Sequence, residues 1–405
     1  MKSLRFLPLM AILFVVVLPN SEALKNLFWI IILLCLPKVL RLRSAFGRQM
    51  TIFEGLLLSI SAVALMSAIQ SDYPRLAWKG VVDSLLFVSI SWYFHVVFAH
   101  NGNLKAWLIK ALFWATLFGL FLGLRDHLAG ISPHIELRSV GIVTHSAIFV
   151  GITVLAMYAY LVFDKSLSTT RSLGFVEASG LLIACGMFFL MGSRGAILGF
   201  FVAALLLTLK CISSLPRDFR PLKHLVIAAM LAAPTLLIPD VAGHSRVWKK
   251  SSQLFFEAEI NVGDRHRFAL WSLASAAFIR NDSKLFGMGP RTFGQINAAE
   301  YNDLALPLNP GEKLGHAHNL FLNKLVEEGI LGFLTMFGFF FLALKRSMKG
   351  EATPEKIGVL GALTVSIVAG FFNTPFIQEQ AVLCGILVGL MMSGEFCKVA
   401  ETKEK

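Results

Sequence analysis

The chain is 405 residues long, 56% hydrophobic and only 15% charged, with a net charge of +12. Soluble domains carry about 25% charged residues, so the composition excludes an ordinary water-soluble domain and indicates one polytopic membrane domain over residues 1–405. The five cysteines (Cys35, Cys185, Cys211, Cys384, Cys397) lie in apolar stretches or their flanks without CxxC spacing, which argues against a disulfide framework or a zinc-thiolate site.

At the N-terminus, Lys2 and Arg5, an apolar run to Leu18 and Ser21-Glu22-Ala23 have the layout of a signal peptide. A second apolar run begins at Leu24, and the segment is read as a short first membrane helix. Apolar stretches long enough to cross a bilayer follow along the chain. The expected spans are residues 5–18, 24–40, 53–70, 77–98, 105–123, 142–163, 174–191, 195–210, 222–238, 318–345, 356–373 and 379–395. The fold class is therefore all-α, with about twelve transmembrane helices and one long, partly helical polar loop, residues 239–317, between the ninth and tenth.

Basic residues alternate between the two sets of short loops. One set holds Lys38, Arg41, Arg43 and Arg48, then Lys105, Lys165 and Arg171, then Lys210, Arg217, Arg220 and Lys223, then Lys345, Arg346, Lys349 and Lys356. The other set is poor in them. The positive-inside rule makes the rich set cytoplasmic, with both termini on that side and the long loop outside. Much of the net charge thus serves topology, and no nucleic-acid partner is expected.

Within the long loop, residues 265–280 place Leu270, Trp271, Ala274, Ala277 and Phe278 at helical spacing. The pattern predicts an amphipathic helix lying on the membrane face. Gly287-Met288-Gly289-Pro290 and Asn309-Pro310-Gly311 break it into turns. The glycine-rich element lacks the strand and helix of a nucleotide-binding loop.

His318 stands at the expected start of the tenth span, where the positive end of a helix dipole disfavours imidazolium. A neutral imidazole there is a competent general base, and a capping histidine is the plain alternative. His316 and His318 with a distant carboxylate such as Asp303 or Glu312 could form a metal site, but two ligands are too few by themselves. Neither a metal nor another cofactor is expected. Arg194, in the tight hairpin Met191-Gly192-Ser193-Arg194-Gly195, lies outside against the positive-inside trend. Arg265 and Arg267 open the loop helix, and Arg291 follows the Gly-Pro turn. Their planar forks suit phosphate oxygens, with lipid anchoring as the plain alternative. Trp271 could stack on Arg267, four residues earlier, or anchor at the interface. Asp83, His95, Lys110, His145 and Glu177 fall inside spans as scattered ionisable residues, without the midplane cluster of a coupled transporter.

His318-Asn319, followed after nine residues by Gly329-Ile330-Leu331-Gly332, resembles the signature of bacterial O-antigen ligases. Arg267-x-x-x-Trp271 and Leu285-Phe286-Gly287-Met288-Gly289-Pro290 resemble the loop pattern shared by O-antigen ligases and polymerases. The resemblance implies an inner-membrane glycosyltransferase of lipopolysaccharide biosynthesis, with its active site on the periplasmic face. It would move O-antigen polysaccharide from undecaprenyl pyrophosphate to a sugar hydroxyl of lipid A–core, with membrane lipids around it. It implies His318 as the catalytic histidine, with Arg194 and Arg267 as the essential arginines. Arg265, Arg291, Asn319, His316 and Trp271 are candidates for substrate binding. The polymerase and protein oligosaccharyltransferase relatives are the nearest alternatives, and a lipid-linked sugar transporter is the alternative from another class.

Overall fold

A computed structural model describes residues 6–44, 51–163, 171–212, 262–301, 303, 306, 314–374 and 379–403. Twelve α-helices are described: α1 (Phe6–Val17), α2 (Glu22–Ser44), α3 (Ile52–Ile69), α4 (Pro74–His100), α5 (Lys105–Leu128), α6 (Val143–Phe163), α7 (Arg171–Leu190), α8 (Arg194–Ile212), α9 (Val262–Arg280), α10 (Leu320–Met348), α11 (Pro354–Gly370) and α12 (Glu379–Lys403). No strand occurs among the described residues. Every expected span except the ninth coincides with one of these helices. The ninth span (222–238), the adjoining part of the loop and the turn Asn309-Pro310-Gly311 lie outside the described residues. Among the described residues, six helices are able to cross a membrane by length and composition: α2 to α6, with α5 counted together with the single turn before it, and α10.

These helices form by hydrophobicity more than by amphipathic patterning, because lipid and protein neighbours are equally apolar. α4 packs against α12 and α3, and α11 sits between α8 and α6. α10 leans on α3 and α11, while α1 joins α5 to α2. Small residues bring backbones together at the tightest crossings: a β-carbon on Gly199 of α8 would meet the Val365 carbonyl of α11 at 2.9 Å.

Charged groups inside the bundle are paired rather than scattered. Lys110 of α5 meets Glu177 of α7 at 2.5 Å, and Lys25 of α2 meets Glu379 at the start of α12 with both side chains buried. Arg43 of α2 bonds the buried carboxylate of Glu54 in α3 through Nε and Nη2, at 3.0 and 3.1 Å. Lys110 and Glu177, two of the ionisable residues read as scattered, are thus joined across helices, since an uncompensated charge in hydrocarbon is costly.

The element that organises the outer face is a break in α10. Gly329 has φ 67° and ψ −166°, outside the helical region. The break frees backbone groups that lipid cannot satisfy, and residues 284–289 satisfy them. Ile330 N–H donates to the Lys284 carbonyl at 2.9 Å and Leu331 N–H to the Leu285 carbonyl at 3.1 Å. In return, Met288 N–H donates to the Val326 carbonyl at 3.0 Å and Gly289 N–H to the Glu327 carbonyl at 2.8 Å. A side chain at Gly329 would collide with the Leu285 carbonyl, and a β-carbon on Gly287 would lie 2.5 Å from the Val326 carbonyl. Both glycines of this contact also have positive φ, so they are required twice over.

The same segment is tied to the bundle. Ser67 Oγ donates to the Glu327 carbonyl at 2.8 Å and Ser71 Oγ to the Met288 carbonyl at 2.6 Å, while Pro290 fills the notch at Gly80 of α4. The Glu327 carboxylate accepts from Phe293 N–H at 3.1 Å.

Over this base lies a second, smaller core of Leu270, Leu273, Ala274 and Ala277 from α9 with Phe293, Ile296, Ala317 and Val326. The helix expected at residues 265–280 is present, but its apolar face is covered by protein instead of membrane. The reason is that the turns after Pro290 and the first turns of α10 supply an apolar partner surface, leaving Phe268 and Ile279 as its exposed apolar residues.

Gly329→Ala must therefore open the contact between residues 284–289 and α10. We expect a loss of about 2 kcal/mol or more, the sum of a strained φ and a displaced backbone contact. Reversible unfolding in detergent should show it, and an unchanged midpoint would contradict this account of the break.

Candidate active site

His318 lies just before α10, and the residue that caps the helix is its neighbour. Asn319 Oδ1 accepts from the N–H groups of Phe321 and Leu322 at 3.0 and 3.1 Å, which satisfies two of the first-turn donors. The histidine is thereby released from the capping role. It pays with backbone strain: His318 and Arg291 are the two non-glycine residues with positive φ among those described, at 49° and 62°. Non-glycine residues in this region cost about 1–3 kcal/mol and are held only by their surroundings.

Three other histidines surround His318. The His316 ring is 4.3 Å away between centroids, tilted by 47°, and the His266 ring of α9 is 6.2 Å away. His145, from the first turn of α6, is buried and close enough to act electrostatically on His316. Burial, then the neighbouring His316, Arg267 and His266, push the His318 imidazole down from 6.5 to about 4, with the Asn373 side chain opposing them. Burial and His145 likewise lower His316 to about 4. Both rings are neutral at neutral pH. The cause is desolvation and nearby cations more than the helix dipole expected from position. The Nδ1 atom of His318 is buried without a hydrogen-bond partner.

Arg267 rises from α9 within electrostatic reach of His318. Arg194 is the first residue of α8, reached through the left-handed turn at Gly192 (φ 67°). A helix N-terminus with an arginine on it is a place for an anion, through free N–H groups and charge. The residue after it, Gly195, abuts the turn between α11 and α12: a β-carbon there would lie 3.2 Å from Asn373 Nδ2 and 3.5 Å from Phe372 Cβ. That turn also receives Asn319, whose Nδ2 donates to the Phe371 carbonyl at 3.4 Å. Hence the Arg194 hairpin and the His318 turn meet at residues 371–373.

The remaining candidates are placed differently. Arg265 is exposed on the first turn of α9. Arg291 pairs with Asp83 of α4 at 2.5 Å, on the side of the loop facing α4. Trp271 packs edge-on against Phe268 at 5.3 Å, and its Nε1 is buried without a partner. Asp303, considered as a third metal ligand, is bonded by Arg280, and Glu312 lies outside the described residues. Among the described residues, no three His, Cys, Asp or Glu side chains converge as a ligand set.

Sequence reasoning missed three members of the cluster. His266 lay between two arginines already singled out, and His145 stood among the ionisable residues taken as scattered. Asn373 carried no signal beyond being polar between two apolar spans.

A bundle of apolar helices thus carries a desolvated imidazole beside guanidinium groups, a combination able to accept a proton and to hold an anion. A model of the O-antigen ligase family matches residues 179–337, a segment that contains Arg194, α9, the loop on α10 and His318. Over that segment the chain is similar to the O-antigen ligase family, whose members are glycosyltransferase-like enzymes. No curated protein matches the chain.

The depressed imidazoles have a consequence for stability. Their folded values of about 4 lie below the ordinary 6.5, so on acidification the unfolded chain takes up protons first. Stability should fall as pH drops from about 6.5 to about 4 and level off below that. Thermal unfolding in detergent, compared between wild type and the His316→Gln/His318→Gln double variant, isolates the effect. The variant's curve should be flatter across that window, and parallel curves would refute the assignment.

Proposed function

We propose that the protein is an O-antigen ligase, transferring O-antigen polysaccharide from undecaprenyl pyrophosphate to a sugar hydroxyl of lipid A–core. The observation that carries the reading is the meeting of a neutral, desolvated His318 with Arg267 and the Arg194 turn, within the segment that matches the family. In this reading the chain spans the bacterial inner membrane about twelve times, following the apolar stretches. Both termini are cytoplasmic and the site is periplasmic, as the distribution of basic residues requires.

His318 takes the proton of the acceptor hydroxyl as its oxygen bonds to the anomeric carbon. The bond from that carbon to the pyrophosphate oxygen breaks, and the leaving group departs with the electron pair. Arg194 and Arg267 meet the charge that develops on it, which does the work a divalent metal does elsewhere. Their forks bind two phosphate oxygens at once. Because the leaving group is already a stabilised anion, no general acid is needed, and a single displacement inverts the anomeric centre. His316 and Asn319 line the base, while Arg265, Arg291 and Trp271 flank the path of the substrates.

Purified protein given undecaprenyl-pyrophosphate glycan and lipid A–core without added metal should form ligated lipopolysaccharide. Loss of the base in His318→Ala should lower kcat by about 10²–10⁴-fold. Arg194→Lys and Arg267→Lys keep the charge but lose the fork, and should each cost about tenfold or more. Full activity in the His318 variant, a strict metal requirement, or a trapped glycosyl-enzyme would each overturn the mechanism.

A further inference from the structure

We infer that His316 is a positioning residue whose ring holds the His318 imidazole by aromatic contact and steadies the imidazolium that forms during transfer. The inference rests on the reading of His318 as the base.

The two rings lie 4.3 Å apart between centroids and 47° from parallel, at the close end of the range for aromatic pairs. The residue between them explains how they meet. Ala317 is fully buried in the smaller core with Phe293 and Val326, and its N–H donates to Asn323 Oδ1 at 3.1 Å. His316 and His318, on either side of it, stay only partly buried and pack on each other. The stretch ends in the positive φ of His318, 49°, followed at once by the Asn319 cap of α10. The backbone under the pair is thus fixed from the Ala317 side and from the helix side. The His266 ring approaches His318 from α9 at 6.2 Å and 70°. His318 is therefore bordered by rings from two elements, and His316 is the nearer.

An aromatic face steadies a neighbouring cation, provided the ring that offers it is itself neutral. His316 meets that condition, since burial and His145 disfavour its charged form. Two imidazolium ions this close would also repel, so the pair holds a single proton. When His318 takes the acceptor proton, the charge stays on that ring and His316 presents its π face to it. Burial and Arg267 oppose the imidazolium, which is why such support matters here. A contact through the ring leaves the in-plane nitrogen lone pairs to the reaction. Nδ1 of His318 is buried, which leaves Nε2 to take the proton. A role of this kind is one that a phenyl ring can fill and a carboxamide cannot.

The test uses the full-length protein with His316→Phe, His316→Asn and His316→Ala, and reads two independent quantities. The first is kcat and KM in the ligation assay. The second is the rate at which diethyl pyrocarbonate modifies His318 at neutral pH, followed by peptide mass spectrometry, which reports access to the ring whether or not the enzyme turns over. His316→Phe should keep kcat within about threefold of wild type, because it retains the aromatic face. His316→Ala and His316→Asn should each lower kcat about 10- to 100-fold, as for a misplaced catalytic group, with little change in KM. Modification of His318 should quicken several-fold in those two variants and stay at the wild-type rate in His316→Phe. A phenyl variant as impaired as the alanine one, or an asparagine variant as active as wild type, would overturn the inference. Should the alanine variant not fold, the phenylalanine and asparagine variants decide it between them. Full activity in His318→Ala, by contrast, would remove the base assignment, while the modification rates would still show whether His316 holds the ring.

Discussion

The outer face of this protein depends on the backbone hydrogen bonds exchanged between the break in α10 and residues 284–289. A helix in an apolar surrounding can be interrupted only if another segment takes up the groups that are freed. At Gly329 the donors of Ile330 and Leu331 and the acceptors of Val326 and Glu327 find their partners in the loop. Because those bonds are directional, they fix the loop's path as well as its position. Ser67, Ser71 and Gly80 then join it to α3 and α4. α9 closes over the result by burying its apolar face against Phe293, Ile296 and Val326, which carries His266 and Arg267 to His318.

The site made in this way is electrostatically unusual for a base. Imidazoles crowd one another beside guanidinium groups, and burial adds to their effect, so His318 is held neutral well below its ordinary range. A ring so easily deprotonated is always available to receive a proton, though it holds one weakly. Its strength as a base must then come from what stabilises the imidazolium when it forms. An incoming pyrophosphate, on the proposed reading, supplies negative charge at that place. On the proposed reading, donor binding would raise the affinity of His318 for a proton at the moment the acceptor hydroxyl has one to give.

The charges elsewhere follow another logic. Lys110 with Glu177, Lys25 with Glu379, and Arg43 with Glu54 are paired across helices. Buried pairs of this kind add little net stability over apolar residues, yet losing one partner is costly. They specify which helices meet. Arg291 belongs partly with them through Asp83, although its strained backbone and its place at the end of the glycine-rich loop set it apart.

Much of this was legible in the sequence, because hydrophobicity and helical periodicity are properties of neighbouring residues. They placed the helices, including α9 in the polar loop, and they marked His318-Asn319 as the start of α10. The glycines of 287–289 and 329–332 were visible as a pattern, but their purpose was not. A missing side chain has meaning only against the particular carbonyl it would strike. The same holds for the site: His145, His266 and Asn373 are ordinary residues in their own stretches, and His318 draws them together from three separate parts of the chain. The sequence by itself determined the all-helical membrane fold, its likeness to a family and the residues with chemical capacity, since those rest on composition and short motifs. Which imidazole became the desolvated centre, which arginine faced it and which was held by Asp83 were decided only by tertiary structure, because burial and charge coupling depend on distances that no local pattern encodes.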